Sequence, residues 1–143
     1  MSFNETLNKK VSKRVGKYTS ATSVAKDIWD CIRSLNQVNR ALLDDTWTAE
    51  MILNACVNVR TLLTIRYEKE DNSAILKAEK EFLKSDDVKR SLIYQSSLMI
   101  QTLTSPLFQM QELKSMSDQY VACARAFLKA RTSIFDKPGI KKR

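Results

Sequence analysis

Apolar residues recur along most of the chain at spacings of three and four, the period of an α-helix with one face turned inward. In the opening segment Phe3, Leu7, Val11, Val15 and Tyr18 form one stripe, which predicts an amphipathic helix over 1–18. The polar run "TSATS" then supplies N-cap candidates for a second helix over 23–43, with Val24, Ile28, Ile32, Leu35, Leu42 and Leu43 inside. "DDT" at 44–46 breaks that helix. A third follows over 47–70 and buries Ile52, Ala55, Cys56, Val59, Leu62 and Leu63.

"EKEDNS" reads as a charged turn that offers Ser73 as the next N-cap, for a short helix over 74–84 carrying Ile75, Leu76, Phe82 and Leu83. "SDD" at 85–87 introduces a helix over 88–104 with Val88, Leu92, Ser96, Met99 and Leu103 on one face. "TSP" ends it, because the residue before proline avoids helical geometry. Ser105 as cap and Pro106 at the first position then predict a final helix to Phe135, about 45 Å long at 1.5 Å per residue. Its inner face holds Leu113, Met116, Tyr120, Ala124, Phe127 and Ile134, and "DKPGIKKR" stops it.

The expected fold is all-α: a bundle of four principal helices, joined by an N-terminal amphipathic helix and one short helix. The 143 residues suit a single domain, divided into the basic helix 1–18, the bundle 23–135 and the basic tail 136–143. With two glycines and two prolines, the chain has too few turn residues for a sandwich or barrel.

The formal net charge of +8 sits at the two ends. Residues 1–17 hold five basic residues against one acidic, residues 125–143 seven against one, and the middle is slightly acidic. Such basic ends are the footprint of a chain that touches a polyanion, although each also serves as plain solubilising charge. On the second helix Lys26, Arg33 and Arg40 recur every seven residues and form a straight basic ridge opposite the apolar stripe. Trp29 lies on the ridge's edge, where the indole can stack on Arg33 or on a base, or can instead fill the margin of the core. Lys9, Lys10, Lys13, Arg14 and Lys17 occupy one flank of the first helix. On the last helix Lys114, Arg125 and Lys129 fall on the outer face, Arg131 on the inner one, and Lys141, Lys142 and Arg143 close the chain. Arg66, on the apolar side of the third helix, has Glu70 one turn on as an ion-pair partner.

Catalytic equipment is missing by composition. With no histidine and no glycine-rich turn, neither a serine triad nor a phosphate-cradling loop can be written. Without histidine the Glu-x-x-His ligands of bundle di-iron sites are also lost. The acidic groups Asp44/Asp45, Glu68/Glu70/Asp71 and Asp86/Asp87 lie at helix boundaries, where they suit capping, and Glu79/Glu81 alone lies within a helix. Cys31, Cys56 and Cys123 fall among apolar residues and read as reduced core thiols. We therefore expect no catalytic residue, no metal and no cofactor, and a soluble cytoplasmic chain without a membrane partner.

In size, helical build, basicity and lack of catalytic motif the chain resembles the small subunits of CRISPR effector complexes, which act in antiviral defence. It is similar in the same features to the basic four-helix-bundle accessory proteins of diversity-generating retroelements. Both resemblances imply sequence-tolerant binding of RNA or DNA backbone by a small part of a larger assembly, with other protein subunits as neighbours and several copies side by side. The nucleic-acid-binding residues expected on this reading are Lys9, Lys10, Lys13, Arg14, Lys17, Lys26, Arg33, Arg40, Arg125, Lys129, Arg131, Lys141, Lys142 and Arg143. The alternative is a protein-binding module, such as a phage or viral inhibitor or an adaptor, whose N-terminal helix docks on a partner protein.

Overall fold

A computed structural model of the protein describes residues 3–16, 21–66 and 72–135. It is all-helical over those residues, with six helices: α1 (Phe3–Val15), α2 (Ala21–Asp44), α3 (Ala49–Arg66), α4 (Ser73–Leu83), α5 (Val88–Leu103) and α6 (Glu112–Phe135). The stretches that contain Lys17, Tyr18, the first two residues of "TSATS", "EKED" with Glu70, and the tail with Lys141, Lys142 and Arg143 lie outside the described residues, as does the Arg66 side chain; the rest of "TSATS" is already inside α2, two residues earlier than the expected start at 23.

Local chemistry explains where the helices stop. α2 ends in a left-handed residue, Asp45 (φ 58°), and the Thr46 amide donates back to the Ala41 carbonyl at 2.8 Å. That six-to-one closure satisfies an end carbonyl, and aspartate tolerates the left-handed region better than most side chains. Thr48, rather than the "DDT" group, caps α3 by accepting from the Met51 amide at 3.2 Å. Asp87 caps α5 by accepting from the Arg90 amide at 3.3 Å.

The expected start of the last helix is corrected. Residues 105–111 turn instead of winding, with the Ser105 hydroxyl accepting from the Leu107 amide and the Ser105 carbonyl from that of Phe108. α6 begins only at Glu112, because Ser105 folds its hydrogen bonds into a local turn. The expected Ser73 cap also shifts by one residue: Ser73 opens α4, and Asn72 precedes it without a side-chain cap.

α2 packs on α3 and α5, and α6 packs on α3 and α5, so these four helices touch in a closed circuit. Two contacts fix each direction against α6. Arg60–Asp118 and Trp47–Phe127 run α3 antiparallel to α6, and Thr102–Met116 with Val88–Cys123 do the same for α5. α3 and α5 therefore run the same way and cannot be joined by a tight turn. α4 fills that connection and lies along α6, while α1 lies on α3.

The inner stripes of α3 and α5 match expectation, and the burial of α3 goes further. From Ala55 to Leu63 every residue of α3 is buried, polar ones included, because α1, α2 and α6 cover it from three sides. Leu43, Leu76 and Leu83 are corrections in the other direction: all three are exposed, Leu43 at 72%. Leu43 sits in the last turn of α2, where the helix face has rotated past the core.

Two buried ion-pair clusters tie the helices together. Arg60 of α3 donates to Asp118 of α6 at 2.7 Å and to the Ser117 hydroxyl at 3.2 Å, with Arg60 and Asp118 both buried. Glu79 of α4, also buried, faces Arg125 Nε at 3.2 Å and Lys129 Nζ at 3.0 Å on α6.

Cys31, Cys56 and Cys123 are buried free thiols, and burial raises all three, Cys123 to about 12. They surround Tyr120, whose phenol burial pushes well above its usual value. Its hydroxyl and that of Ser96 meet in the closed core without a well-formed hydrogen bond. A buried hydroxyl that gains so little is cheap to remove. Tyr120→Phe is therefore expected to leave stability within about 1 kcal/mol of the parent, measured by urea unfolding; a loss several times larger would show the hydroxyl to be structural.

Candidate nucleic-acid interface

Positive charge in the sequence and positive charge free to meet a ligand are not the same set. On α1, Leu7 and Val11 are fully buried against the body of the protein, and Phe3 and Val15 pack beside them. Lys9, Lys10 and Lys13 consequently face solvent, although Lys10 reaches Glu50 of α3 at 3.0 Å. Arg14 turns inward. Its guanidinium donates to Asp27 of α2 at 2.5 Å and to the Asn58 side-chain oxygen of α3, linking three helices.

That linkage continues as a chain of hydrogen bonds. Asn58 donates to the Ser34 hydroxyl at 3.0 Å, and Ser34 donates to the Cys31 carbonyl at 2.9 Å. Asp27 is buried, and desolvation raises its carboxyl above the ordinary range even though Arg14 pulls the other way. The arrangement is a fixed polar floor between α1, α2 and α3.

Above this floor the outer face of α2 carries the ridge. Lys26, Arg33 and Arg40 are all exposed, as the seven-residue spacing requires. Asp30 lies between the first two, at 3.8 Å from Lys26 and in closer contact with Arg33, so one carboxylate offsets part of their charge. Arg40 has no acidic partner among the described residues. Trp29 is 59% exposed, which removes it from the core margin and sets an indole face beside the ridge.

Two adjoining grooves of about 450 and 520 Å³ flank the ridge and share Arg33 and Gln37. One is lined by Arg14, Asp30, Ser34, Asn54 and Asn58; the other runs past Asn36 and Arg40 to Thr46 and Met51. Together they make one trough along the α2–α3 seam, rimmed by Arg14, Arg33 and Arg40, lined by side-chain amides and also bearing the carboxylates of Asp30 and Asp44. The amides escape a search for clustered charge, because Asn36, Gln37, Asn54 and Asn58 carry none and come from two helices. Only their positions on the facing sides of α2 and α3 bring them together.

The last helix departs from expectation. Arg125 is buried instead of outward: its guanidinium is held by Glu79 and lies 5.5 Å from the centre of the Phe3 ring. Lys129 is exposed at its shaft but also reaches Glu79. The physical reason is α4, which packs on α6 and brings a carboxylate to that face. Arg131 lies over the Phe127 ring at 5.0 Å, and Trp47 meets the same ring edge-on, so the inward arginine is absorbed by an aromatic pair.

The chain matches no family model, curated protein or solved structure. The geometry alone then bears on function. Among the described residues no group of carboxylates and thiols is placed to hold a metal ion, and no helix is long and apolar enough to cross a membrane. Of the sequence-predicted site residues, Arg14, Lys26, Arg33 and Arg40 are brought together around the α2 face. Lys9 and Lys13 lie on the neighbouring helix α1, and Arg125, Lys129 and Arg131 belong to α6.

Proposed function

We propose that the chain is a non-catalytic helical subunit of a cytoplasmic nucleoprotein complex, built as a bundle of four principal helices, that binds nucleic-acid backbone through the outer face of α2. The observation that carries this reading is the ridge of Lys26, Arg33 and Arg40 beside an exposed Trp29. Arginine presents several donors to a phosphate and an indole supplies a face for a base, and neither depends on sequence. Lys9 and Lys13 add charge from α1. The role resembles that of the small subunits of CRISPR effector complexes, several copies of which line up along a strand.

Exposed apolar side chains suit the neighbours such an assembly needs. Leu43 and Leu107 are 72% and 82% exposed, and Tyr94 of α5 is 60% exposed. The alternative, a protein-binding inhibitor or adaptor that docks through its N-terminal helix, has less support because the apolar stripe of α1 is already spent on α3.

Salt titration tests the reading. Affinity for random RNA or DNA should fall with rising salt along a log–log line, and Arg33→Gln with Arg40→Gln should flatten that slope by about 2. The loss should be equal for every sequence. No measurable binding at low salt would refute the proposal, as would an unchanged slope in the double variant.

A further inference from the structure

Building on that backbone reading, we infer that the trough between α2 and α3 takes unpaired bases, so that the ligand of this face is single-stranded nucleic acid. The trough runs beside the ridge. Arg33 belongs to both grooves and Arg40 to one, so a strand whose phosphates follow the ridge passes along the trough's rim. Its lining is rich in groups that read base edges: Asn36, Gln37 and Asn54 each present an amide with donors and an acceptor, and all three are exposed.

Width decides between single and double strands. The trough lies in the seam of two packed helices, whose axes are about 8–10 Å apart. A duplex is too broad to enter, and its Watson–Crick edges are already occupied, so it touches only the rim. An unpaired base can turn its edge inward, which is how most sequence contacts to RNA are made. The floor is prepared for this. Arg14, Asn58 and Ser34 are held by one another and by Asp27, so they need no reordering when a strand arrives.

The trough and the ridge can be tested apart. Fluorescence polarisation of the full chain at low salt is read with labelled single strands of mixed sequence, RNA and DNA, and with a blunt duplex of the same length. Gln37→Ala with Asn54→Ala removes two exposed amides, and an unchanged circular-dichroism melt establishes that the variant folds. Wild type should favour single strands over duplex, and the amide variant should lose about tenfold in single-strand affinity, two hydrogen bonds' worth, with duplex binding unaltered. Equal wild-type affinity for duplex and single strand, or an amide variant that binds single strands as wild type does, overturns the trough while the ridge still loses binding on Arg33→Gln with Arg40→Gln. Absence of all binding by wild type overturns both.

Discussion

Replacing Asp118 with alanine should be among the most damaging single changes to this protein, lowering stability by about 3–5 kcal/mol. Asp118 and Arg60 are both buried, and their 2.7 Å contact joins α3 to α6 at the centre of the structure. Alanine would take the carboxylate away from a buried guanidinium that also donates to the Ser117 hydroxyl at 3.2 Å. The cost comes from a buried charge that loses its carboxylate, so removing both partners is expected to be far milder. Arg60→Met with Asp118→Leu should recover most of the loss. Urea unfolding of the single and double variants measures this directly, and a double variant as unstable as Asp118→Ala would show that the ion pair itself, not the buried charge left behind, carries the energy.

The second large effect is expected at Glu79. This carboxylate is buried and serves two cations, Arg125 at 3.2 Å and Lys129 at 3.0 Å. Glu79→Gln keeps the shape and removes the charge, leaving buried Arg125 without its carboxylate at a cost of about 3 kcal/mol. Lys129→Gln should cost less than about 1 kcal/mol, because that side chain is largely in water. The two variants should also differ in place. Hydrogen exchange in Glu79→Gln should speed up first in α4, which is held to the rest mainly through α6. Uniform loss of protection across all helices would contradict a role specific to that docking.

These two clusters mark the boundary of what sequence reading reaches. The helices and their order were legible because periodicity is a property of neighbours in the chain. The stripe Leu92, Ser96, Met99 and Leu103 of α5 is buried as its spacing requires. Helix ends were less legible, since Ser105 with Pro106 fits both a helix cap and a turn, and the choice depends on hydrogen bonds made locally by Phe108 and Leu107.

Charge was the least legible quantity. Arg125 reads as an outward cation until α4, far away in sequence, brings Glu79 to it, and nothing in the chain's periodicity foretells that α6 brings Asp118 to Arg60. The ridge on α2 was visible from its seven-residue spacing, but the amide trough beside it was not, because it depends on the pairing of α2 with α3.

The all-round burial of α3 has a bearing on the order in which the protein is made. α1 and α2, which cover part of α3, precede it on the ribosome, but α6, which covers the rest, is synthesised only after α4 and α5. Through the synthesis of α4 and α5 the nascent chain therefore carries an uncovered apolar side of α3, the kind of surface on which chaperones act and aggregation begins. Completion of α6 is the event that closes the core over α3.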